Sequence, residues 1–515
     1  MRKLCRVLFS RYAVSALIIL AELALLFYLM TFAYVYSALA FSLIMIVDIL
    51  AAVGIISMDA NPEYKVSWLF FVLLIPLFGS ALFLMFYSRR LSKKSSAFMK
   101  EVQSKIDEAA GERDGVKSDF LSLKGEDGLA AGKAHAILSA DALSSVYRSS
   151  ESRYFESGES MYESMVSDIE RAEKYIFLEY FLIEDGKMWS KIHSLLREKA
   201  KSGVEVRVLY DDIGCMKTLP ARYPIVLNKE GIKCHRFAPV SPRITISHNN
   251  RDHRKILIID GKIAYTGGIN IADEYINEKQ RFGHWKDGGI RIFGRAARGF
   301  LKHFLFMWSV TEGKISEYSE YFPKEENLSL GDGGYYIPYA TGPIPIYSAP
   351  IAKQTLINIV NQAESYVYIT TPYLIMDYDL TEAMRNAAIR GVKVKIITPG
   401  IADKKLVKLM TKSSYSYLVS KGVEIYEYTK GFIHEKTVVS DDKYLTVGTI
   451  NLDYRSFAHH YENGVWIYSS KTVSEAKEKI ESVFKECKEI TEKDARLGLM
   501  ERIVRNLLRL FAPIM

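Results

Sequence analysis

Cysteine is almost missing from this 515-residue chain. Its four thiols, Cys5, Cys215, Cys234 and Cys487, stand far apart with no Cys-x-x-Cys pair, which excludes a disulfide scaffold and a cysteine zinc site. Histidine is sparse too, ten in all. No carboxylate clusters sit at metal-ligand spacing around them, which argues against a two-metal phosphodiesterase and gives an expectation of no metal. Neither sign of charge dominates: 68 Lys+Arg against 60 Asp+Glu leave +8, a balance that suits an anionic partner, phospholipid or nucleic acid, without choosing between them. With 49% apolar and 25% charged residues the chain is neither disordered nor a pure membrane bundle. Its length allows about three domains.

The apolar residues gather at the N-terminus. From Val14 to Met58 only Glu22 and Asp48 interrupt them, and Val66 to Tyr87 carries no charge. A span needs about 20 apolar residues, so three membrane segments are expected, at 14–36, 38–58 and 66–87, in an anchor over 1–95. A cleavable signal is set aside because the apolar region is far too long. Arg2, Lys3, Arg6 and Arg11 before the first segment and Arg89, Arg90, Lys93 and Lys94 after the last both mark a cytoplasmic end. Three full spans cannot place both ends on one side, so the orientation stays open. Glu22 and Asp48 fit polar pairing between helices, or placement at the membrane interface, better than a functional role. Residues 96–144 read as a polar, partly helical linker.

Beyond it the chain is written twice. Ala172-Glu173-Lys174-Tyr175-Ile176-Phe177-Leu178 matches Ala363-Glu364-Ser365-Tyr366-Val367-Tyr368-Ile369, and Gly203-Val204-Glu205-Val206 matches Gly391-Val392-Lys393-Val394. Strands alternating with helices predict two α/β units with mostly parallel sheets, over 145–325 and 326–485, forming a pseudo-dimer. Each half ends in one constellation: His253, Lys255, Asp260, Gly267 and Asn270, then His434, Lys436, Asp441, Gly448 and Asn451. Five fixed identities recur by chance at roughly one in a million per starting position.

In a strand, His and Lys two apart share a face, so an imidazole and an ammonium can meet one phosphate. A two-residue turn at Gly261-Lys262 would pair 253 with 270 and 255 with 268, and Asp442-Lys443 would give the second half the same register. Asn270 and Asn451 would then lie opposite the histidines, with room for a phosphoryl group at Gly267-Gly268 and Gly448-Thr449. Asp260 and Asp441, on the other parity, would fix the turn or nearby backbone. Two copies supply a nucleophilic histidine and an acidic one, with the lysines and asparagines stabilising the phosphoryl oxygens.

These residues resemble the phospholipase D superfamily, whose His-x-Lys-x4-Asp-x6-Gly-x2-Asn signature occurs in both halves. Within it the chain is similar to the bacterial cardiolipin synthases, through Asn61-Pro62, Trp68, Pro76 and Gly79, Tyr210-Asp211-Asp212-Ile213-Gly214, Asn250 to Lys255, Phe282 to Asp287 and Asn451 to Ser456. The resemblance implies tandem phospholipase D-like α-β-α units behind transmembrane helices. It further implies a multi-pass cell-membrane enzyme that condenses two phosphatidylglycerols into cardiolipin and glycerol through a phosphohistidine, with no cofactor. The implied partners are phosphatidylglycerol and an anionic bilayer rather than nucleic acid. By the same resemblance His253 is the nucleophile and His434 the acid, although the pseudo-symmetry allows the reverse. A carboxylate is implied behind each histidine. Glu462 stands 28 residues past His434, whereas that offset from His253 lands on Arg281, leaving Asp287 as the substitute. The same motifs serve hydrolases, nucleases and transferases using serine or ethanolamine. An inactive lipid-binding scaffold would have lost a His or Lys, and neither half has.

In the tail, 486–515, Met500, Ile503, Val504, Leu507, Leu508 and Phe511 form a helical stripe opposite Arg502, Arg505 and Arg509. The pattern suits a helix lying on an anionic membrane and equally one packed on the catalytic domain.

Overall fold

The computed structural model describes residues 38–87, 93–111, 120–240, 250–322, 331–343, 346–347 and 349–513, with a few more between 20 and 32. The first expected membrane segment, 14–36, lies largely outside the described residues, as does Glu22. The chain forms two compact units, one of 1–90, 238–250 and 503–515 and the other of 91–237 and 251–502.

The larger unit holds both halves of the repeat. Its first sheet has seven strands in the order Ser150–Phe155, Gly289–Gly294, Ile263–Gly267, Lys255–Ile259, Tyr175–Tyr180, Glu205–Asp211, Ile232–Phe237. Its second has eight, from Cys487–Glu489 through Glu424–Tyr428, Lys393–Pro399, Tyr366–Thr370, Thr437–Ser440, Tyr444–Gly448 and Glu462–Tyr468 to Tyr335–Thr341. The sheets are mixed rather than mostly parallel. In the first, Tyr175–Tyr180 runs parallel to Glu205–Asp211, and that strand parallel to Ile232–Phe237, through helical crossovers; the other pairings are antiparallel. The signature strands are joined by turns far too short for a crossover, and this forces the reversal.

The strand Lys255–Ile259 is buried along its whole length, with Ile256, Leu257 and Ile258 fully enclosed. Each such side chain contributes about 1.5–3 kcal/mol of burial, so the strand that begins two residues past His253 is anchored from both faces. Between the sheets the helix Ala297–Glu312 is buried over most of its length.

The hairpin register differs by one residue from expectation. Ile259 pairs with Ile263 and Ser440 with Tyr444, so each turn holds three residues, Asp260-Gly261-Lys262 and Asp441-Asp442-Lys443. Asp260 and Asp441 adopt φ of 52° and 53° because each carboxylate is drawn out of the ladder toward another segment. Asp260 accepts backbone N–H bonds from Glu173, Lys174 and Tyr175, and Asp441 accepts from Glu364, Ser365 and Tyr366. Each aspartate therefore ties its hairpin to the start of the neighbouring strand.

The described residues of 96–144 are largely helical and packed, in place of the expected linker. Helix Lys93–Ala110 buries Val102, Ile106 and Ala110, and helix Gly125–Ala140 buries Ala130, Ala131, Ala134 and Ile137 within the larger unit. Small apolar residues at helical spacing were masked by polar composition. Likewise the tail begins as part of this unit, Cys487–Glu489 closing one edge of the second sheet.

In the smaller unit, the apolar stretch 66–87 is not one helix. It falls into Pro62–Leu74 and Phe78–Tyr87, broken where Leu77 takes a φ of 61°. Asp48 accepts from the Leu77 N–H and the Ser80 hydroxyl, capping the second helix. A Cβ on Gly79 would stand 2.3 Å from the Phe71 carbonyl oxygen, so only glycine permits this fold-back. The 38–58 segment forms helix Ala38–Ile56, which rises about 28 Å. Among the described residues no helix is long and apolar enough to cross a membrane; the second expected segment is one helix, and the third is two short helices in place of a single span. At the tail, Phe511 packs edge-on to Phe71 at 5.3 Å and Arg509 approaches Glu63 at 3.7 Å.

Candidate active site

His253 and His434 stand just ahead of the strands at Lys255–Ile259 and Thr437–Ser440, where each chain leaves its own sheet and meets the other half. The His253 N–H donates to the Tyr461 carbonyl at 2.9 Å, and the His434 N–H to the Lys286 carbonyl at 2.7 Å. The residue after each acceptor is a carboxylate, and it holds the same histidine. Glu462 receives His253 Nδ1 at 2.9 Å, and Asp287 receives His434 Nδ1 at 2.9 Å. The carboxylates thus cross between halves, so the offset that located Glu462 from His434 points to the wrong partner. Arg281 turns away to pair with Glu274 at 3.0 Å.

All four groups are buried. Burial pushes the His253 imidazole down to about 3 against the pull of Glu462, and His434 down to about 4, with Lys436 adding to the shift and Asp287 opposing it. Both rings are therefore neutral in the free protein. Burial would raise the two carboxyls, but their histidine partners hold Glu462 and Asp287 below the usual carboxylate range. With Nδ1 donating to a carboxylate, the lone pair of each ring resides on Nε2.

Lys255 Nζ donates to the His253 carbonyl at 2.7 Å, and Lys436 Nζ to the His434 carbonyl. Burial lowers Lys255 to about 8 and Lys436 to about 7, against the acids across the site. Gly268 leaves no space for a side chain: a Cβ there would lie 2.0 Å from Asp287 Oδ1 and 2.6 Å from the His434 carbonyl oxygen. At the equivalent place Thr449 gives its hydroxyl to Glu462, whose other oxygen accepts from Ser456 at 2.8 Å.

The shifted register moves the asparagines away from the places directly opposite the histidines. Asn270 donates to the Tyr275 hydroxyl at 2.6 Å and accepts from the Leu182 N–H. The Tyr275 ring stands edge-on to His434 at 5.6 Å, so Asn270 too serves the other half. Asn451 is buried with its side-chain oxygen unpaired.

Three neighbours escaped the sequence reading. Asn463 joins the halves, donating to Thr266 at 2.8 Å. Phe181 packs on His253 at 4.9 Å. His460 lies 5.3 Å from His253, with Nδ1 3.6 Å from Glu462. It stands two residues before its carboxylate, as Trp285 does before Asp287, and Trp285 lies 5.4 Å from His434; that matching offset was the available signal. His253, His460 and Glu462 bring ligand atoms within 4.8 Å of one another. A cation there would have to displace the proton that His253 shares with Glu462, so this group fits the hydrogen-bonded arrangement better than a resident metal.

The geometry agrees with the comparisons to known proteins. The family described as "Cardiolipin synthase, PLD-like domain" matches residues 165–281 and 356–484, and "Phospholipase_D-nuclease N-terminal" matches 46–86. An uncharacterized protein of Streptococcus mutans is 42% identical over 72% of this chain and 80% of its own length. The cardiolipin synthase of Alkalihalophilus pseudofirmus is 31% identical over 82% of this chain and 83% of its own, and that of Clostridium perfringens is 31% identical over 88% and 95%. The crystal structure of phosphatidylserine synthase from Haemophilus influenzae superposes with a TM-score of 0.55 over 71% of this chain and 93% of that one; at 16% identity it speaks for the fold. Doubled signature, crossed carboxylates and relatives together place the chain in the cardiolipin synthase family of phospholipase D-like phosphatidyltransferases.

Proposed function

We propose that this enzyme converts two phosphatidylglycerols into cardiolipin and glycerol at the membrane surface, with His253 as nucleophile and His434 as general acid and base. The observation that carries the reading is the pair of buried imidazoles, each held at Nδ1 by a carboxylate of the opposite half. His253 Nε2 attacks the phosphorus of one phosphatidylglycerol, and the bond to the glycerol headgroup oxygen breaks. The leaving oxygen takes its proton from His434, whose proton affinity rises when an anionic phosphodiester lies beside it. A headgroup hydroxyl of the second phosphatidylglycerol then returns a proton to His434 and attacks the phosphatidyl-histidine, freeing His253 and forming cardiolipin. Lys255 and Lys436 offset the charge on the phosphoryl oxygens.

The apolar N-terminal region and its family match over 46–86 support a multi-pass anchor in the cell membrane. Purified full-length protein in detergent, given labelled phosphatidylglycerol, is expected to yield cardiolipin and glycerol without nucleotide or added metal. Phosphatidic acid as the sole product would make it a hydrolase, and dependence on a cytidine-nucleotide lipid donor would overturn the reading.

A further inference from the structure

Ten residues past the repeated glycines, Gly203 and Gly391, the two halves carry the same side chain, Ile213 and Ile401. Both isoleucines stand in the loop that follows a parallel strand, Glu205–Asp211 in one half and Lys393–Pro399 in the other. Neither is packed away. Ile213 and Ile401 are 37% and 42% exposed, and further along the same connections Ile225, Val226 and Leu406 are 45% to 57% exposed. Exposed aliphatics recurring at one repeat position are not the scatter expected of an ordinary surface.

Their location ties them to the catalytic edge. Tyr180, the last residue of its strand, pairs with Lys255, and the parallel neighbour ends in the Ile213 loop on that same edge. Gly214 abuts the Phe181 carbonyl, where a Cβ would come within 2.0 Å, and the Phe181 ring packs on His253. In the other half the Ile401 N–H donates to the Gly431 carbonyl at 3.2 Å, and Gly431–Ile433 runs directly into His434.

Cations outnumber acids along these two connections. Lys217, Arg222 and Lys229 are exposed along the first connection, and Lys404 and Lys405 along the second. The acids nearby are engaged: Asp212 is buried against Arg236 at 3.0 Å, and Asp403 accepts from the Tyr373 hydroxyl. Aliphatic tips flanked by cations match a bilayer surface of anionic lipid, which offers acyl chains beneath a negative layer.

We infer that these two pseudo-equivalent loops are the surface by which the catalytic unit seats on an anionic bilayer, one loop beside each histidine. The inference rests on the reading of the site as acting on bilayer phosphatidylglycerol. Seating both loops brings both histidines to the headgroup layer, where two lipid phosphates can reach one site.

The test uses the full chain in vesicles, with Cys5 and Cys487 replaced by Ser; Cys215 and Cys234 are buried. A bimane label is placed through Ile213→Cys, Ile401→Cys or, as a control on the opposite edge of the sheet, Lys201→Cys. Acyl-chain doxyl lipid is expected to quench the label at 213 and 401, at least twofold more with phosphatidylglycerol present than in pure phosphatidylcholine, and to leave the 201 label bright. No quenching at 213 and 401, or loss of label accessibility that follows protein concentration and marks a second copy, would overturn the inference. In a second arm, Ile213→Asp/Ile401→Asp is expected to lower turnover of vesicle phosphatidylglycerol at least tenfold more than turnover of a monomeric short-chain phosphatidylglycerol; equal losses on both would overturn it. The quenching readout needs no cardiolipin to form, so failure of the transferase reading is told apart from failure of this one.

Discussion

Thr449 gives its hydroxyl to Glu462, where the other half has Gly268 pressed against Asp287. The two carboxylates are thus positioned by opposite means, one by a donor and the other by the lack of a side chain.

Substitution at these two positions is expected to separate the means. Thr449→Ser keeps the hydroxyl and should retain most turnover, whereas Thr449→Ala should lose roughly 10-fold, about one hydrogen bond to a charged group. Gly268→Ala should be far worse, because its Cβ falls 2.0 Å from Asp287 Oδ1. Turnover with melting temperature, measured on all three, checks the order.

The crossed carboxylates predict which step each one serves. In a His434→Ala background labelled phosphatidyl-enzyme should accumulate on His253. Adding Glu462→Gln should slow its formation by roughly 10²-fold or more, and adding Asp287→Asn should leave that rate nearly unchanged. Trapping on His434 in a His253→Ala protein would reverse the roles.

The lysines should set the alkaline limb. With Lys436 at about 7 and Lys255 at about 8 in the free enzyme, kcat/KM should fall as pH rises through that range and the cations are lost. Lys436→Arg, which stays protonated, should lower the maximum yet move the falling limb to higher pH. A pH profile of kcat/KM for both proteins decides it.

The histidines should set an acid limb of stability. Their folded values of about 3 and 4 lie below the ordinary imidazole near 6.5, so between those values the unfolded chain binds more protons. Their contribution is full above about pH 6.5 and is lost as pH falls through 4 and then 3. Denaturant unfolding at pH 7 and 4.5 should show a larger drop for the wild type than for His253→Gln/His434→Gln.

Asp260 and Asp441 are expected to matter for folding more than for chemistry. Each accepts three backbone N–H bonds, so Asp260→Ala removes three bonds to a charged group, two of them from exposed residues that water can satisfy, and should cost about 1–2 kcal/mol. Activity per folded molecule should fall less than in Lys255→Ala, and Asp260→Asn should be milder in both respects. Loss of activity as complete as in a histidine variant, at unchanged melting temperature, would make the aspartates reacting groups.

The duplicated signature was legible in the sequence because identity at fixed spacing is local information. Partnership across 147 or 209 residues is not, and so the exchange of Asp287 and Glu462 between histidines came only with the fold. The register failed for a related reason. A turn beginning Asp-Gly reads as a two-residue hairpin until the aspartate is seen to bond Glu173 to Tyr175, which adds a residue to the loop. Hydropathy located the apolar stretch 66–87 but not its break, since the cap that stabilises the break, Asp48, comes from 29 residues upstream.

The exchange of acids also decides what a fragment of this protein can be. Residues 326–485 alone would carry His434 and Lys436 but no carboxylate for that imidazole, and 145–325 alone would leave His253 in the same state. Strand Gly431–Ile433, which pairs with His284–Lys286 in the intact chain, would present an open edge. Expressed apart, the pieces should be inert and adhesive; mixed, they should regain activity only as unlike pairs. Neither copy of the repeat is a spare for the other.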